Sequence, residues 1–429
     1  MRIKLAYGRE GMWVDLPKRA DIDVIEPQYV EGLADEPAAL RAALAAPMGT
    51  RPLSELVREA DLSTCREPVA VVFSDITRPM PNDRVLPVLL AELEAAGVSP
   101  ERITLINALG THRPQTEEEL AGMLGAEIVK RYPIVQHDAW DDANLVGVAR
   151  NRNGRLVRVH RAYAEAVVRI LTGFVEPHFF AGASGGPKAV LPGIADIDSI
   201  MDNHGARLLA SGMATWAVTT GNPLWDELCE ATQATQPTFV LNVTLNRDRQ
   251  LTGVFAGEML RVHQAAVAFV RARAMRPVVA PYDIVVTTNS GYPLDLNLYQ
   301  AVKGMSAAAQ IVKPGGDIII AAECWDGIPD HGEYGRLLRE ASSPEALLAT
   351  IMTPGFRCHD QWEAQIQAQI QLKARVHVYA DGLSDDQLRA AMVRPCRSIE
   401  GRLQELLAQN PGARIAVLPE GPQTVPYLD

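Results

Sequence analysis

No apolar stretch in this 429-residue chain approaches the roughly 20 residues that a bilayer core demands, so a membrane-spanning helix is excluded. The N-terminus, MRIKLAYGREGMWVDLP, alternates like a strand and lacks the apolar core and small-residue cleavage site of a signal peptide, and a cytoplasmic protein is expected. Cysteine is scarce. Cys65, Cys229, Cys324, Cys358 and Cys396 are odd in number, far apart and free of any Cys-x-x-Cys pair, which removes a disulfide framework and the usual thiolate zinc sites. Positive charge is short as well: 41 Lys and Arg against 52 Asp and Glu leave a net charge of −11, with no dense basic run. That balance argues against nucleic acid as the main partner, although a local basic pocket for a small anion stays open.

What is present is a soluble globular composition, 47% hydrophobic and 22% charged, in a chain long enough for two or three domains. Short β-branched runs alternate with amphipathic segments. Strands are expected at 68–73, 101–108, 166–173 and 239–245, and helices at 36–46, 53–60, 84–96, 117–124 (with Thr116 as N-cap) and 257–273. Hairpins are expected about Arg9-Glu10-Gly11 and Asn153-Gly154. After the proline-punctuated stretch Arg276 to Pro281 the alternation restarts, with strands at 283, 317, 375 and 414 and helices near 296, 344, 362, 385 and 398. The expected fold is therefore α/β in two domains, residues 1–275 and 276–409, each a largely parallel sheet flanked by helices. The tail 410–429 is expected to pack back on the first domain, and the active site to lie in the cleft between the two.

Four polar clusters stand at expected strand ends, where open α/β sheets bind ligands. Ser74-Asp75-Ile76-Thr77-Arg78-Pro79 follows the first buried strand; read alone, it is equally a helix-entry loop with Asp75 as a cap. Gly110-Thr111-His112-Arg113 follows the next. Phe174 to His204 carries His178, a glycine-rich loop from Ala181 to Gly186 and Lys188, a combination suited to an anion. It is not a Walker loop, since Pro187, Lys188 and Ala189 stand where Gly-Lys-Ser/Thr is required. His204 falls at the end of a short helix. His137 and His160 read as surface or structural residues, and His263 as packing within its helix. In the second domain Asp295 is the expected N-cap of a helix whose first turns hold Tyr299, Gln300 and Lys303, which alone could be a solvated face.

Together, Ser74-Asp-Ile-Thr-Arg-Pro79, Gly110-Thr-His-Arg113, Glu176-Pro-His-Phe-Phe-Ala-Gly182, Gly185-Gly-Pro-Lys188, Leu191-Pro-Gly193, Asn203-His204 and Tyr299-Gln-Ala-Val-Lys303 resemble the lactate racemase family. The resemblance implies a racemase or epimerase of a 2-hydroxy acid that uses a nickel-pincer nucleotide, a nicotinic-acid-derived mononucleotide gripping nickel through a ring carbon and two sulfurs. It implies His204 as the protein ligand to nickel, Lys188 as a covalent tether through a thioamide, and His112 and His178 as paired acid/base groups. It also implies Asp75, Ile76, Thr77 and Arg78 as a cofactor-contacting loop, Gln300 and Lys303 as substrate contacts, and Tyr299 and Trp362 as pocket residues. Proteins that make the cofactor are implied partners. Hydride transfer suits such a substrate because removing its α-proton would leave a carbanion beside a carboxylate. Two other readings of the same residues are a zinc hydrolase using His112, His178 and His204, and a non-catalytic cofactor carrier.

Overall fold

The central strands of the two large sheets are nearly continuous hydrophobic runs rather than alternating ones, because both of their faces are covered. The computed structural model describes residues 1–17, 20–330 and 332–429. One six-stranded sheet runs Leu251–Gly257, Phe239–Leu245, Val168–Phe174, Val69–Ser74, Ile103–Ala108, Ile134–Gln136. All its pairs are parallel except the first. In the strand Val69–Ser74, Val69, Val71 and Phe73 enter a core with Leu86, Leu89 and Leu93 of the helix Asn82–Ala95. Ala70 and Val72 face the opposite core with Val190 and Ile194. The two-residue period thus feeds two cores from one strand.

The second six-stranded sheet runs Arg394–Pro395, Arg375–Tyr379, Val312–Ala321, Tyr282–Thr288, Arg414–Val417, Asp21–Val24, and every pair is parallel. Both expected hairpins are formed: Arg2–Leu5 pairs with Met12–Asp15, and Leu145–Arg150 with Leu156–His160. Among the described residues no helix is long and apolar enough to cross a membrane.

By contact the chain divides into two units, Tyr29–His204 with Ser211–Arg271, and Met1–Gln28 with Gly205–Ala210 and Ala272–Asp429. The sequence reading of 1–275 as one domain differs from this at its start. Asp21–Val24 pairs with Arg414–Val417, and the amide of Ala6 donates to Pro419 O at 2.8 Å, so the first residues belong with the last ones. The tail differs too. Arg414–Val417 lies inside the second sheet, and Val425–Leu428 pairs with Met275–Val278 of the same unit.

Candidate active site

In the unit Tyr29–His204 with Ser211–Arg271, two neighbouring parallel strands end in the first two polar clusters. Asp75, buried, accepts His112 Nδ1 at 2.7 Å on one carboxylate oxygen and the Thr77 hydroxyl at 2.8 Å on the other. Arg78 Nη1 donates to Thr77 Oγ1 at 2.9 Å. Burial pushes the Asp75 carboxyl up. The charge and hydrogen bond of His112, the Arg78 charge and the Thr77 hydroxyl outweigh it and hold the group below its ordinary range. His112 keeps about a quarter of its side chain exposed, and among the described residues its Nε2 makes no hydrogen bond.

The third cluster is organised by an aromatic ring. After Val168–Phe174 the chain turns back on itself: Pro177–His178 pairs antiparallel with Gly182–Ala183, and Phe179 and Phe180 lie in the turn. The Phe180 ring centroid is 4.6 Å from that of His178 and 5.1 Å from that of His204, both edge-on, and 5.5 Å from Lys188 Nζ. Three residues of the one segment from 178 to 204 thus meet around one phenyl ring. Burial first, then the nearby Lys188 charge, holds His204 well below the ordinary imidazole range. It is therefore a neutral imidazole at physiological pH, the form that binds metals. His204 follows the helix Ile197–Asn203, its amide donating to Ile200 O at 2.8 Å. Backbone bonds stitch this cluster to the preceding one: Gly110 N to Gly193 O at 2.9 Å and Gly193 N to Lys188 O at 3.1 Å.

The glycine-rich loop is shaped by protein rather than by an open anion cradle. Gly182 and Gly186 both have positive φ. A Cβ on Gly182 would strike the Val218 carbonyl, and one on Gly186 would come within 2.5 Å of the His263 ring. Two of the amides that could have turned to a phosphate are already bonded, Ser184 N to Glu176 O and Ala181 N to His178 Nδ1. His263 is the structural prop beneath the loop. Its Nε2 bonds Ser184 O at 3.0 Å, its ring stacks on Trp225 at 4.4 Å, and burial lowers its pKa to about 4. His137 and His160 are also interior: their rings meet edge-on, and His137 Nε2 bonds Ala195 O.

In the other unit the helix Leu298–Ala309 carries the remaining candidates. Its N-cap is Asn297, which accepts Gln300 N at 3.0 Å, and not Asp295. Asp295 is instead buried two residues earlier, accepting the amides of Gly8 and Glu323. Lys303 Nζ bonds Gln300 Oε1 at 2.5 Å, one turn apart on one face. Tyr299 takes a different direction, its hydroxyl accepting from Trp362 Nε1 at 2.7 Å and its ring meeting Tyr334.

Among the described residues no three His, Cys, Asp or Glu side chains are grouped so as to hold a metal ion. His112, His178 and His204 therefore do not form the zinc set of a hydrolase. Sequence reading assigned no role to Phe180, Thr232 or Asn222. Thr232 bonds Pro187 O, and Asn222 bonds Phe180 O while capping the helix Pro223–Ala234. The signal for Phe180 was its place two residues after His178; nothing local marked the other two.

Residues 7–217 match the family model described as the lactate racemase N-terminal domain, and residues 278–425 that of the lactate racemase C-terminal domain. The chain is 32% identical over 426 residues to the lactate racemase of Thermoanaerobacterium thermosaccharolyticum, covering 98% of this chain and 97% of that protein. It is 35% identical over 378 residues to the lactate racemase of Lactiplantibacillus plantarum, covering 87% of each. The solved apoprotein structure of the Thermoanaerobacterium enzyme superposes with a TM-score of 0.91 at 31% identity, over 99% of this chain and 100% of that one. A Thermotoga maritima protein shares the fold at a TM-score of 0.71 and 19% identity, over 94% of this chain and 100% of that one.

Proposed function

The chain belongs to the lactate racemase family and is an isomerase, and from that premise we propose that it interconverts the enantiomers of lactate, or of a related 2-hydroxy acid, with a nickel-pincer nucleotide as cofactor. The observation that carries this reading is the grouping of His178, Lys188 and His204 around Phe180. The donor set fits the cofactor. A single neutral imidazole leaves most nickel ligand positions to be filled from outside the protein, as a nucleotide that brings its own ligands would do, and an amine beside that imidazole suits covalent attachment of such a group. When bound, the nucleotide supplies nickel and a ring carbon able to take up and return a hydride.

On this reading His204 is the nickel ligand and Lys188 the tether. Ile76, Thr77 and Arg78 line the cofactor, as does Asp75, which in addition holds His112. His112 removes the substrate hydroxyl proton at Nε2, and the imidazolium so formed is balanced by the Asp75 carboxylate. His178 plays the same part for the opposite enantiomer, giving a proton to the oxygen of the planar 2-oxo acid in one direction and taking it from the hydroxyl in the other. Gln300 and Lys303 provide an amide and a cation for the substrate carboxylate, with Tyr299 and Trp362 shaping the pocket. Proteins that build and insert the nucleotide are its expected partners.

The test is protein produced with the cofactor pathway, assayed by chiral chromatography against single enantiomers of several 2-hydroxy acids, alongside its nickel content and intact mass. The expected result is racemisation of at least one acid, about one nickel per chain, and added mass that Lys188→Ala abolishes. Nickel-loaded protein that leaves every enantiomer unchanged would reject the reading.

A further inference from the structure

We propose that the fold sets His112 and His178 in opposite tautomers, with Asp75 as the positioning residue for the first and the backbone of the His178 to Ala181 turn for the second. At His112 the argument is one of direction. Arg78 has only donors, and it donates to Thr77 Oγ1 at 2.9 Å, which leaves the hydroxyl hydrogen for Asp75 Oδ1 at 2.8 Å. Asp75 is held ionised and so only accepts; its Oδ2 lies 2.7 Å from His112 Nδ1. Nδ1 must then carry the proton, and the 3.4 Å approach of Thr77 Oγ1 meets it with a lone pair. The neutral ring keeps its other lone pair at Nε2, a base ready to accept.

At His178 the direction is reversed. The backbone amides of Ala181 and Phe180 can only donate, and they point at Nδ1 from 3.2 and 3.5 Å. Nδ1 is therefore unprotonated and the neutral ring carries its proton on Nε2. The turn is not free to relax, since His178 pairs with Gly182 across the short antiparallel ladder and Gly182 is packed against Val218. At Nε2 the first neutral ring carries a lone pair and the second carries the proton.

For catalysis, an extension that rests on the racemase reading, the resting enzyme is asymmetric. One enantiomer meets a ready base, whereas the other meets a hydrogen-bond donor and must wait for a proton to move to Nδ1 against the Ala181 amide. The equilibrium constant of racemisation is unity, so kcat/KM must be equal for the two enantiomers. The asymmetry therefore falls on kcat and KM separately, which change in the same proportion.

The test is ring-nitrogen NMR of the full-length, cofactor-free chain labelled with 15N-histidine, at a pH where the histidines are neutral, with His112→Gln and His178→Gln assigning the signals. The Nδ1–H form is expected for His112 and the Nε2–H form for His178. Asp75→Asn should convert His112 alone to the Nε2–H form, because the amide can donate to Nδ1, and Asp75→Glu should restore the original signature. In loaded enzyme Asp75→Asn should also cost on the order of 10²-fold in kcat/KM. Identical tautomers at the two histidines, or a His112 signal indifferent to Asp75→Asn, would overturn the proposal. The NMR readout needs neither nickel nor turnover, so it can fail while racemisation is found, and can succeed where racemisation is not.

Discussion

His204 and His112 show how differently a buried environment can treat one side chain. His204 is kept neutral by burial and a neighbouring cation, while His112 is hydrogen-bonded to the Asp75 carboxylate. His137 and His263, interior and outside the site, follow the first pattern, and this makes stability depend on pH. Burial lowers His137 from 6.5 to about 4, and His263 to the same region. Their folded values lie below their unfolded ones, so the unfolded chain binds the proton first as pH falls. Stability is complete above about 6.5, declines between there and about 4, and from these two groups changes no further below. Each contributes on the order of 3 kcal/mol across that window, at about 1.36 kcal/mol for every tenfold difference in proton affinity between the folded and unfolded chain. Urea midpoints measured from pH 7 to pH 4 should fall for the natural sequence and fall less for His137→Gln. Equal slopes for the two proteins would contradict it.

At the level of elements, the glycine loop and the helix ends separate what the sequence could tell from what it could not. The buried strands were legible because β-branched runs bounded by turns have few other uses, and the helix Glu117–Leu124 because Thr116 and Glu119 form a capping box. Asp295 was misread as a cap because two good capping residues lie two apart, and only the tertiary positions of Gly8 and Glu323 decide which one turns inward. The Asp75 to His112 pair joins two loops 37 residues apart, so each motif was visible and their bond was not. The loop glycines looked like a place for an anion, and a Cβ on Gly182 or Gly186 would instead meet Val218 or His263. Gly186→Ala tests that account. The new Cβ would press on a ring already stacked against Trp225, in a backbone region that disfavours side chains. A loss of about 2–4 kcal/mol is expected from strain and overpacking together. Thermal unfolding within one degree of the natural protein would show that the loop has room to spare.

For the molecule as a whole, the division of the chain was the least legible feature, because a four-residue edge strand leaves almost no trace in sequence and its partner lies at the other end. Its removal has a directed consequence. Deleting residues 1–28 would strip Asp21–Val24 from Arg414–Val417, expose that sheet edge, and take from Asp295 the Gly8 amide. Limited proteolysis should then cut within 272–429 sooner, at least tenfold, while fragments from 29–204 persist. Even acceleration across both units would mean that the first residues serve them equally.

The same strand sets an order of events during translation. The ribosome releases Asp21–Val24 long before Arg414–Val417, its neighbour in the sheet among the described residues, has been made. The unit that carries His112, His178, Lys188 and His204 has its last residue at Arg271, so it can close while the opening residues are still waiting. A nascent chain stalled after that point would hold a finished histidine cluster beside a strand with nothing to join, and a pause late in synthesis would lengthen the time for which that strand is open to strangers.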